Sequence, residues 1–415
     1  MKKLGKSGLT IRLGIIGLGL RGVDQMKTLL SMPDVKAAIV CDNWGDRAEK
    51  AAAIAEKAQG FRPDVTREPE DVFARKDIEG VVIMTSWQTH IPLAIRALES
   101  GLRPALEVGG ATSIQQLWDL VRTSERTGIP VMLLENCCYG EREMALLNMV
   151  RKGLFGELVH AEGGYCHDLR DEVGNGDRTH HYRHDNFINR CGELYPTHEL
   201  GPLAKILGFG RGNRIVKVAA FASKARGLAA WCAKNRPDLV GMQVNEGDVV
   251  DTILTTARGE TIRLCHDITL PRPYSRRLML QGTKGIWQED GAHMYLEGIS
   301  PHDPKAWTES WEDESKYMEK YRHPLWKEYK RFGLRGGHGG MDFLVLRAYV
   351  ESVQNHTQPP IDVYDTAEWM AVTCLSEQSI ALGGQPVFMP DFTDGRWMTR
   401  QPEDLGQFSL DIIPR

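Results

Sequence analysis

The apolar positions fall into two regimes that meet near residue 135. Before it, short apolar runs alternate with amphipathic stretches. Ile11–Ile16, Val35–Cys41, Gly80–Met84, Pro104–Glu107 and Val131–Leu134 are runs of the kind that fill buried parallel strands. Between them, Arg47–Ala58, Ile91–Ser100 and Ser113–Thr127 repeat at helical spacing, as does the stretch through Met26, Leu29 and Leu30. This alternation predicts an α/β doubly wound parallel sheet over residues 1–135. After it, a helix reaches to about Leu154 and a strand runs from Gly156 into a polar loop. Ile215–Ser223, Asp248–Thr256, Thr261–Thr269, Arg277–Gly282 and Gly285–Glu289 read as strands, which places a second α+β domain over 136–415. Met341–Val353 and Thr366–Leu382 read as helices; Trp307–Arg335, dense in charge, tyrosine and tryptophan, is the hardest segment to place.

The first apolar run ends in Gly17-Leu18-Gly19-Leu20-Arg21-Gly22 and a helix follows. By itself a glycine pattern of this kind is weak. Its context strengthens it, because Gly17 permits the turn, Gly19 lets backbone approach a pyrophosphate, and Gly22 lets the helix pack on the strand. The helix N-terminus offers amides and a positive dipole end to phosphates. Asp42 closes the second strand about twenty residues past the last glycine, where a carboxylate can accept ribose hydroxyls and repel a 2′-phosphate. NAD is therefore expected in preference to NADP. Ligands of such sheets lie outside the carboxyl ends of the strands, which here carry Trp87 and His90, then Glu107 and Val108, then Glu135 and Asn136.

Composition narrows the class. The 415 residues carry a formal net charge of −4, with 42% hydrophobic and 26% charged residues, as in a soluble globular protein. Neither nucleic acid nor an anionic membrane is an expected partner. No run of eighteen apolar residues is present, and the basic start Met1–Gly8 lacks a signal-peptide core, so a cytoplasmic location is expected. The eight cysteines are scattered without a Cys-x-x-Cys pair, which fits reduced thiols. Cys137 and Cys138 read as small buried residues. His180, His181 and His184 read as a solvated polar loop, since no carboxylate or cysteine stands at ligand spacing, and no metal is expected.

Five strings are unusual: Glu135-Asn136-Cys137-Cys138-Tyr139-Gly140, Gly156 through Tyr165-Cys166-His167-Asp168, Tyr195-Pro196-Thr197-His198-Glu199-Leu200-Gly201-Pro202, Pro271-Arg272-Pro273-Tyr274-Ser275, and His338-Gly339-Gly340-Met341-Asp342-Phe343. Together they resemble glycoside hydrolase family 109, the NAD-dependent α-N-acetylgalactosaminidases within the Gfo/Idh/MocA superfamily of sugar oxidoreductases, over roughly Ile11 to Gly384. The resemblance implies an open, largely antiparallel second sheet with helices on one face, where Met341–Val353 and Thr366–Leu382 are expected to pack. Homo-oligomerisation is implied through that sheet. Superfamily dehydrogenases usually carry Glu-Lys-Pro after the fifth strand, the lysine helping to remove a hydroxyl proton. Family 109 has Glu-Val-Pro, and Glu107-Val108-Gly109 sides with the hydrolases while departing from their proline.

The implied route is an exception to the two-carboxylate glycosidase plan: oxidation at sugar carbon 3 by NAD, loss of the carbon 2 proton, elimination of the group on carbon 1, addition of water, and return of the hydride. By resemblance Tyr165 takes the carbon 2 proton. Tyr195 and His198 touch substrate and cofactor, His198 handling the proton of the carbon 3 hydroxyl or of the leaving group. Arg183 and Tyr274 contact the sugar, and Glu135 and His167 complete the polar wall. Glu199 stands where the family has glycine, an expected carboxylate at the pocket mouth that bears on sugar choice. A sugar dehydrogenase releasing NADH and a non-catalytic sugar or NAD sensor are the competing readings; the missing lysine counts against the first, and the retained Tyr165 and His198 against the second.

Overall fold

The computed structural model describes residues 9–301, 310–333 and 335–413. The basic start and part of the Trp307–Arg335 segment lie outside the described residues. Six strands, β1 (Ile11–Ile16), β2 (Val35–Cys41), β3 (Asp64–Thr66), β4 (Gly80–Ile83), β5 (Arg103–Leu106) and β6 (Met132–Leu133), form one sheet in the order β3-β2-β1-β4-β5-β6. Every pairing in it is parallel. The strand order reverses between β1 and β4, the switch point at which doubly wound sheets take ligands. The mostly buried β1 and β2 and the fully buried β4 match the apolar runs that predict them.

The second sheet has nine strands: β7 (Leu158–Cys166), β8 (Ile215–Ala222), β9 (Val250–Thr256), β10 (Thr261–Asp267), β11 (Met279–Gly282), β12 (Gly285–Gln288), β13 (His293–Leu296), β14 (Glu312–Asp313) and β15 (Val387–Phe388). Their order is β14-β13-β12-β11-β7-β10-β9-β8-β15. Among the described residues only the central β7–β10 pair of this sheet is parallel, and the others are antiparallel. β9 alternates buried and outward residues, as expected of a β-branched strand with one face on the core.

Two compact units result. The first comprises the described residues of Met1–Gly140, Pro324–Ala367 and Pro402–Arg415; the second comprises those of Glu141–His323 and Glu368–Gln401. The helix Met341–Asn355, expected on the second sheet, belongs instead to the first unit, where it packs against the helix Leu20–Leu30. Its side chains explain why. Arg347 donates to both oxygens of Asp34 at 2.7 and 2.9 Å, and the Tyr349 hydroxyl donates to the Arg103 carbonyl at 2.7 Å. The helix Val363–Ala381 does serve the second sheet from Glu368 onward: Glu368 accepts from the Ile215 amide at 2.7 Å, and Ser379 Oγ from the Ala220 amide at 2.9 Å. Among the described residues no helix is long and apolar enough to cross a membrane.

Candidate active site

In the first unit the glycine turn is built as the motif requires. Gly17 sits at φ +91°, and a Cβ there would collide with the Met84 carbonyl; a Cβ on Gly22 would collide with the Gly17 carbonyl. At Gly19 the nearest atom to a Cβ is an Arg47 guanidinium nitrogen 4.0 Å away, so the turn is open on that side and a phosphate group can reach the backbone. Leu20, which begins the helix, is exposed beside it. Asp42 is buried and accepts from the Leu18 amide at 2.7 Å through Oδ2 and from the Trp44 amide at 2.8 Å through Oδ1. It thereby ties the turn to the end of β2, while each oxygen keeps a lone pair for a ribose hydroxyl. These residues fit NAD.

Arg21 extends this region through ion pairs. Its Nε donates to Glu107 Oε1 at 2.8 Å, and its two terminal nitrogens grip Asp342 at 2.8 and 2.9 Å. Glu107 turns back on itself, accepting the Val108 amide at 2.8 Å. Asp342 also accepts from Asn136 Nδ2 at 2.8 Å and lies 2.9 Å from His338 Nδ1. Burial opposes its charge, but His338 and Arg21 hold its carboxyl well below the usual range. Asp342 thus joins the helix after the glycine turn to the segment after β6, a role the sequence string around it did not reveal.

Trp87 and His90 lie in the first turn of the helix Trp87–Glu99 and are buried. Gly109, at φ +152°, packs against the indole where a Cβ would overlap it, which accounts for the missing proline. His90 Nε2 lies 3.1 Å from the Thr85 carbonyl, and burial pushes its pKa down to about 4 against the pull of Glu107. Glu135 is fully buried and caps the turn Asn136–Tyr139 by accepting the Cys137 amide at 3.0 Å. Cys137 and Cys138 are buried, as expected.

In the second unit the structure gathers Tyr165, His167, Arg183, Tyr195, His198 and Tyr274. Tyr165 ends β7, with its ring centroid 4.6 Å from that of Tyr195, 5.6 Å from His198 and 6.4 Å from Tyr274. The Tyr195 hydroxyl lies 3.4 Å from His198 Nε2. The buried Arg183 guanidinium sits 5.0 Å from the Tyr195 ring centre and donates to Glu172 at 2.6 Å. Burial opposes its charge, yet Tyr182, Tyr165, Glu172 and Tyr195 hold it firmly protonated. The same cation favours the ionised form of the phenols around it. His167 packs edge-on against Tyr274 at 5.2 Å, and burial lowers its pKa.

Two expectations change here. Glu199 is fully buried, not at a pocket mouth, and reaches over Gly163 on β7. The histidine loop is only partly solvated: His180 is exposed, but His181 lies 3.5 Å from Glu172 and His184 is buried with Nδ1 2.8 Å from the Val173 carbonyl. Sequence reasoning missed His266, which stacks on Tyr165, Glu193, which accepts the Tyr195 amide, and Glu246, which lies 3.1 Å from His266 Nδ1. His266 is placed by strand register, which no local signal announces.

Comparison with known proteins agrees with both units. The family model described as "Glycosyl hydrolase 109, C-terminal domain" matches residues 139–399, and that described as "Oxidoreductase family, NAD-binding Rossmann fold" matches 11–134. The chain is 40% identical to a glycosyl hydrolase family 109 protein of Stenotrophomonas maltophilia, covering 95% of this chain and 92% of the relative. It is 36% identical to an alpha-N-acetylgalactosaminidase of Tannerella forsythia, covering 97% and 90%. An oxidoreductase from Agrobacterium radiobacter, solved with NAD+, L-tartaric acid and magnesium, shares the fold with a TM-score of 0.66 at 16% identity, covering 91% of this chain and 98% of that one.

Proposed function

The chain belongs to glycosyl hydrolase family 109 and is a glycoside hydrolase that uses NAD, and we propose that it releases terminal α-N-acetylgalactosamine, or a related galacto-configured sugar, by oxidation, elimination, addition of water and re-reduction. The name of the Tannerella forsythia relative supports the choice of sugar. The observation that carries the route is the seating of the Tyr165 phenol among Tyr195, His198 and the Arg183 cation.

NAD, when held at the glycine turn by Gly17, Gly19, Gly22 and Asp42, would supply reversible hydride acceptance from carbon 3 of the sugar, and a ketone there would acidify the hydrogen on carbon 2. Tyr165 receives that proton. A phenol ordinarily ionises near pH 10, so it needs a cation beside it to serve as a base near neutrality, and Arg183 is the cation that interacts with it. The group on carbon 1 then leaves, and water adds across the resulting double bond, hydroxyl to carbon 1 and, once the phenol has exchanged with solvent, a proton from Tyr165 to carbon 2. His198, with the Tyr195 hydroxyl against its Nε2, handles the remaining proton, at the carbon 3 hydroxyl or at the leaving oxygen. Arg183, Tyr195 and Tyr274 hold the sugar. Gly17, Gly19 and Gly22, with Asp42, hold the dinucleotide.

The test is hydrolysis of an aryl α-N-acetylgalactosaminide in heavy water. Deuterium on carbon 2 of the released sugar, with no net NADH, is expected. Full retention of hydrogen there would overturn the route, and cleavage confined to other sugars would overturn the substrate. NADH accumulating in step with product would mark a dehydrogenase. We further read the second unit, Glu141–His323 with Glu368–Gln401, as the one that binds substrate and pairs subunits, supported by the exposed Phe221, Ile253 and Phe388 on the second sheet; sedimentation velocity showing a monomer would refute the pairing.

A further inference from the structure

The residues that follow Asp42 have no part in the route, yet they stand beside the dinucleotide turn. Trp44 leaves 45% of its surface in solvent. A single exposed tryptophan needs no function; what sets this one apart is its position. Its amide donates to Asp42 Oδ1 at 2.8 Å, so the indole springs from the carboxylate that can receive ribose hydroxyls. Arg47 approaches from the phosphate side. One of its guanidinium nitrogens stands 4.0 Å from where a Gly19 Cβ would be. The guanidinium carbon lies over the Trp44 ring, 6.0 Å from its centre. The two side chains thus face each other between the ribose carboxylate and the phosphate turn. Their loop is held on both flanks: Arg67 Nε donates to the Asn43 carbonyl at 3.0 Å, and the Arg47 amide donates to the Trp44 carbonyl at 2.9 Å as the helix Gly45–Gln59 begins.

We propose that Trp44 and Arg47 clamp the adenine of NAD, the indole against one face of the base and the guanidinium against the other. The proposal rests on NAD as the cofactor. Connectivity supports it, because the base is bonded to the ribose that Asp42 receives, while the phosphates of that ribose lie toward Gly19. Spacing supports it too. A planar ring needs a contact layer of about 3.5 Å on each face, about 7 Å in all. The 6.0 Å found here is wider than direct contact, and the half-buried Arg47, on a flexible stem, supplies the remaining distance of roughly 1 Å.

The chemistry is that of a π face. Indole stacks on any base, and a guanidinium adds a cation over the ring. Neither group reads a base edge, so the clamp takes a purine by its area. Adenine is the same in NAD and NADH, so the clamp holds both redox forms alike. That suits a cofactor that is oxidant and reductant in one turnover and gains nothing by leaving between the two.

Titration of the full-length protein, freed of dinucleotide, with NAD and with adenosine tests this by calorimetry and tryptophan fluorescence. Adenosine carries the base and ribose but neither phosphate nor nicotinamide. In the unaltered protein both ligands bind, and adenosine quenches part of the emission. Trp44→Ala weakens NAD and adenosine by the same factor, roughly 5- to 150-fold, as for a lost base stack. Trp44→Phe keeps a stacking face and recovers most of the affinity, but the adenosine-dependent quench disappears. Arg47→Ala weakens adenosine roughly two- to fivefold. Adenosine affinity unchanged in Trp44→Ala or in Arg47→Ala, or a quench that survives in Trp44→Phe, overturns the clamp. Should the variants not fold, the unaltered protein decides alone: quenching by adenosine supports the clamp, and its absence overturns it. Failure of the unaltered protein to bind NAD would sink the cofactor reading; NAD bound equally well by Trp44→Ala sinks this proposal only.

Discussion

Gly163 and Glu199 compete for one volume: a Cβ on Gly163 would stand 2.7 Å from the Glu199 Cβ and 3.2 Å from its Cγ. The carboxylate that replaces a family glycine on the helix Thr197–Leu207 is accommodated by a bare position on β7. Gly163→Ala is therefore expected to cost about 1–3 kcal/mol of stability by overpacking. In a Glu199→Gly background the same change should cost at least about 1 kcal/mol less, measured as a double-mutant cycle by denaturant unfolding. Additive costs would show that the two residues do not compete.

Asp42 is expected to act twice, on the dinucleotide and on the turn that receives it. Asp42→Ser removes a charged acceptor from the Leu18 and Trp44 amides. Loss of a hydrogen bond to a charged group is worth about 1.5–3 kcal/mol, so NAD affinity should fall roughly ten- to hundredfold. Preference over NADP should shrink with it. Calorimetric titration with both dinucleotides checks this, and equal affinities in the unaltered protein would contradict it.

The Asp342 carboxyl predicts a pH dependence of stability. Its pKa in the fold is depressed by His338 and Arg21 despite burial. A depressed carboxyl stabilises the fold above its unfolded value, about 4, and that contribution disappears as pH falls through the folded value. Thermal midpoints should therefore drop progressively below about pH 4. Asp342→Asn should be less stable near neutrality and show a shallower acid slope. Parallel acid profiles for the two proteins would refute the assignment.

Restoring the family proline at Gly109 is expected to harm the protein. Proline holds φ near −65°, whereas Gly109 sits at +152° with the Trp87 indole in the space of a Cβ. Gly109→Pro should cost about 3 kcal/mol or more, seen as a lowered melting temperature or loss of soluble protein. A variant as stable as the parent would mean that this segment readily adopts another path.

Tyr165→Phe should keep NAD and the fold but lose turnover by about 10²–10⁴-fold, as for a removed general base. Circular dichroism and NAD titration provide the controls. Hydrolysis within a few-fold of the parent would assign the carbon 2 proton to another group.

Much of the nucleotide site was legible because its signals are local. The spacing of Gly17, Gly19 and Gly22, the carboxylate at Asp42 and the alternating apolar runs all act within a few turns of chain. The same holds for the longer strands of the second sheet, whose β-branched alternation is its own marker. The short strands β3, β13, β14 and β15 went unread because two to four residues are too few to show a period. For Met341–Asn355 the sequence determined a helix buried along most of its length, but a buried stripe does not say against what it packs. That depended on Asp34 and Arg103, hundreds of positions away.

The sequence by itself determined the fold class and the dinucleotide turn, and the strings around Tyr165, Tyr195 and Tyr274 named side chains that the structure gathers in the second unit. Only the tertiary structure decided that Glu199 is buried over Gly163, that Asp342 anchors Arg21 and Asn136, and that His266 stacks against Tyr165 with Glu193 and Glu246 nearby. The physical reason is the range of the interactions. Backbone conformation and amphipathic period depend on near neighbours, whereas burial of a carboxylate or stacking of two rings depends on strand register and on which distant residue leaves room.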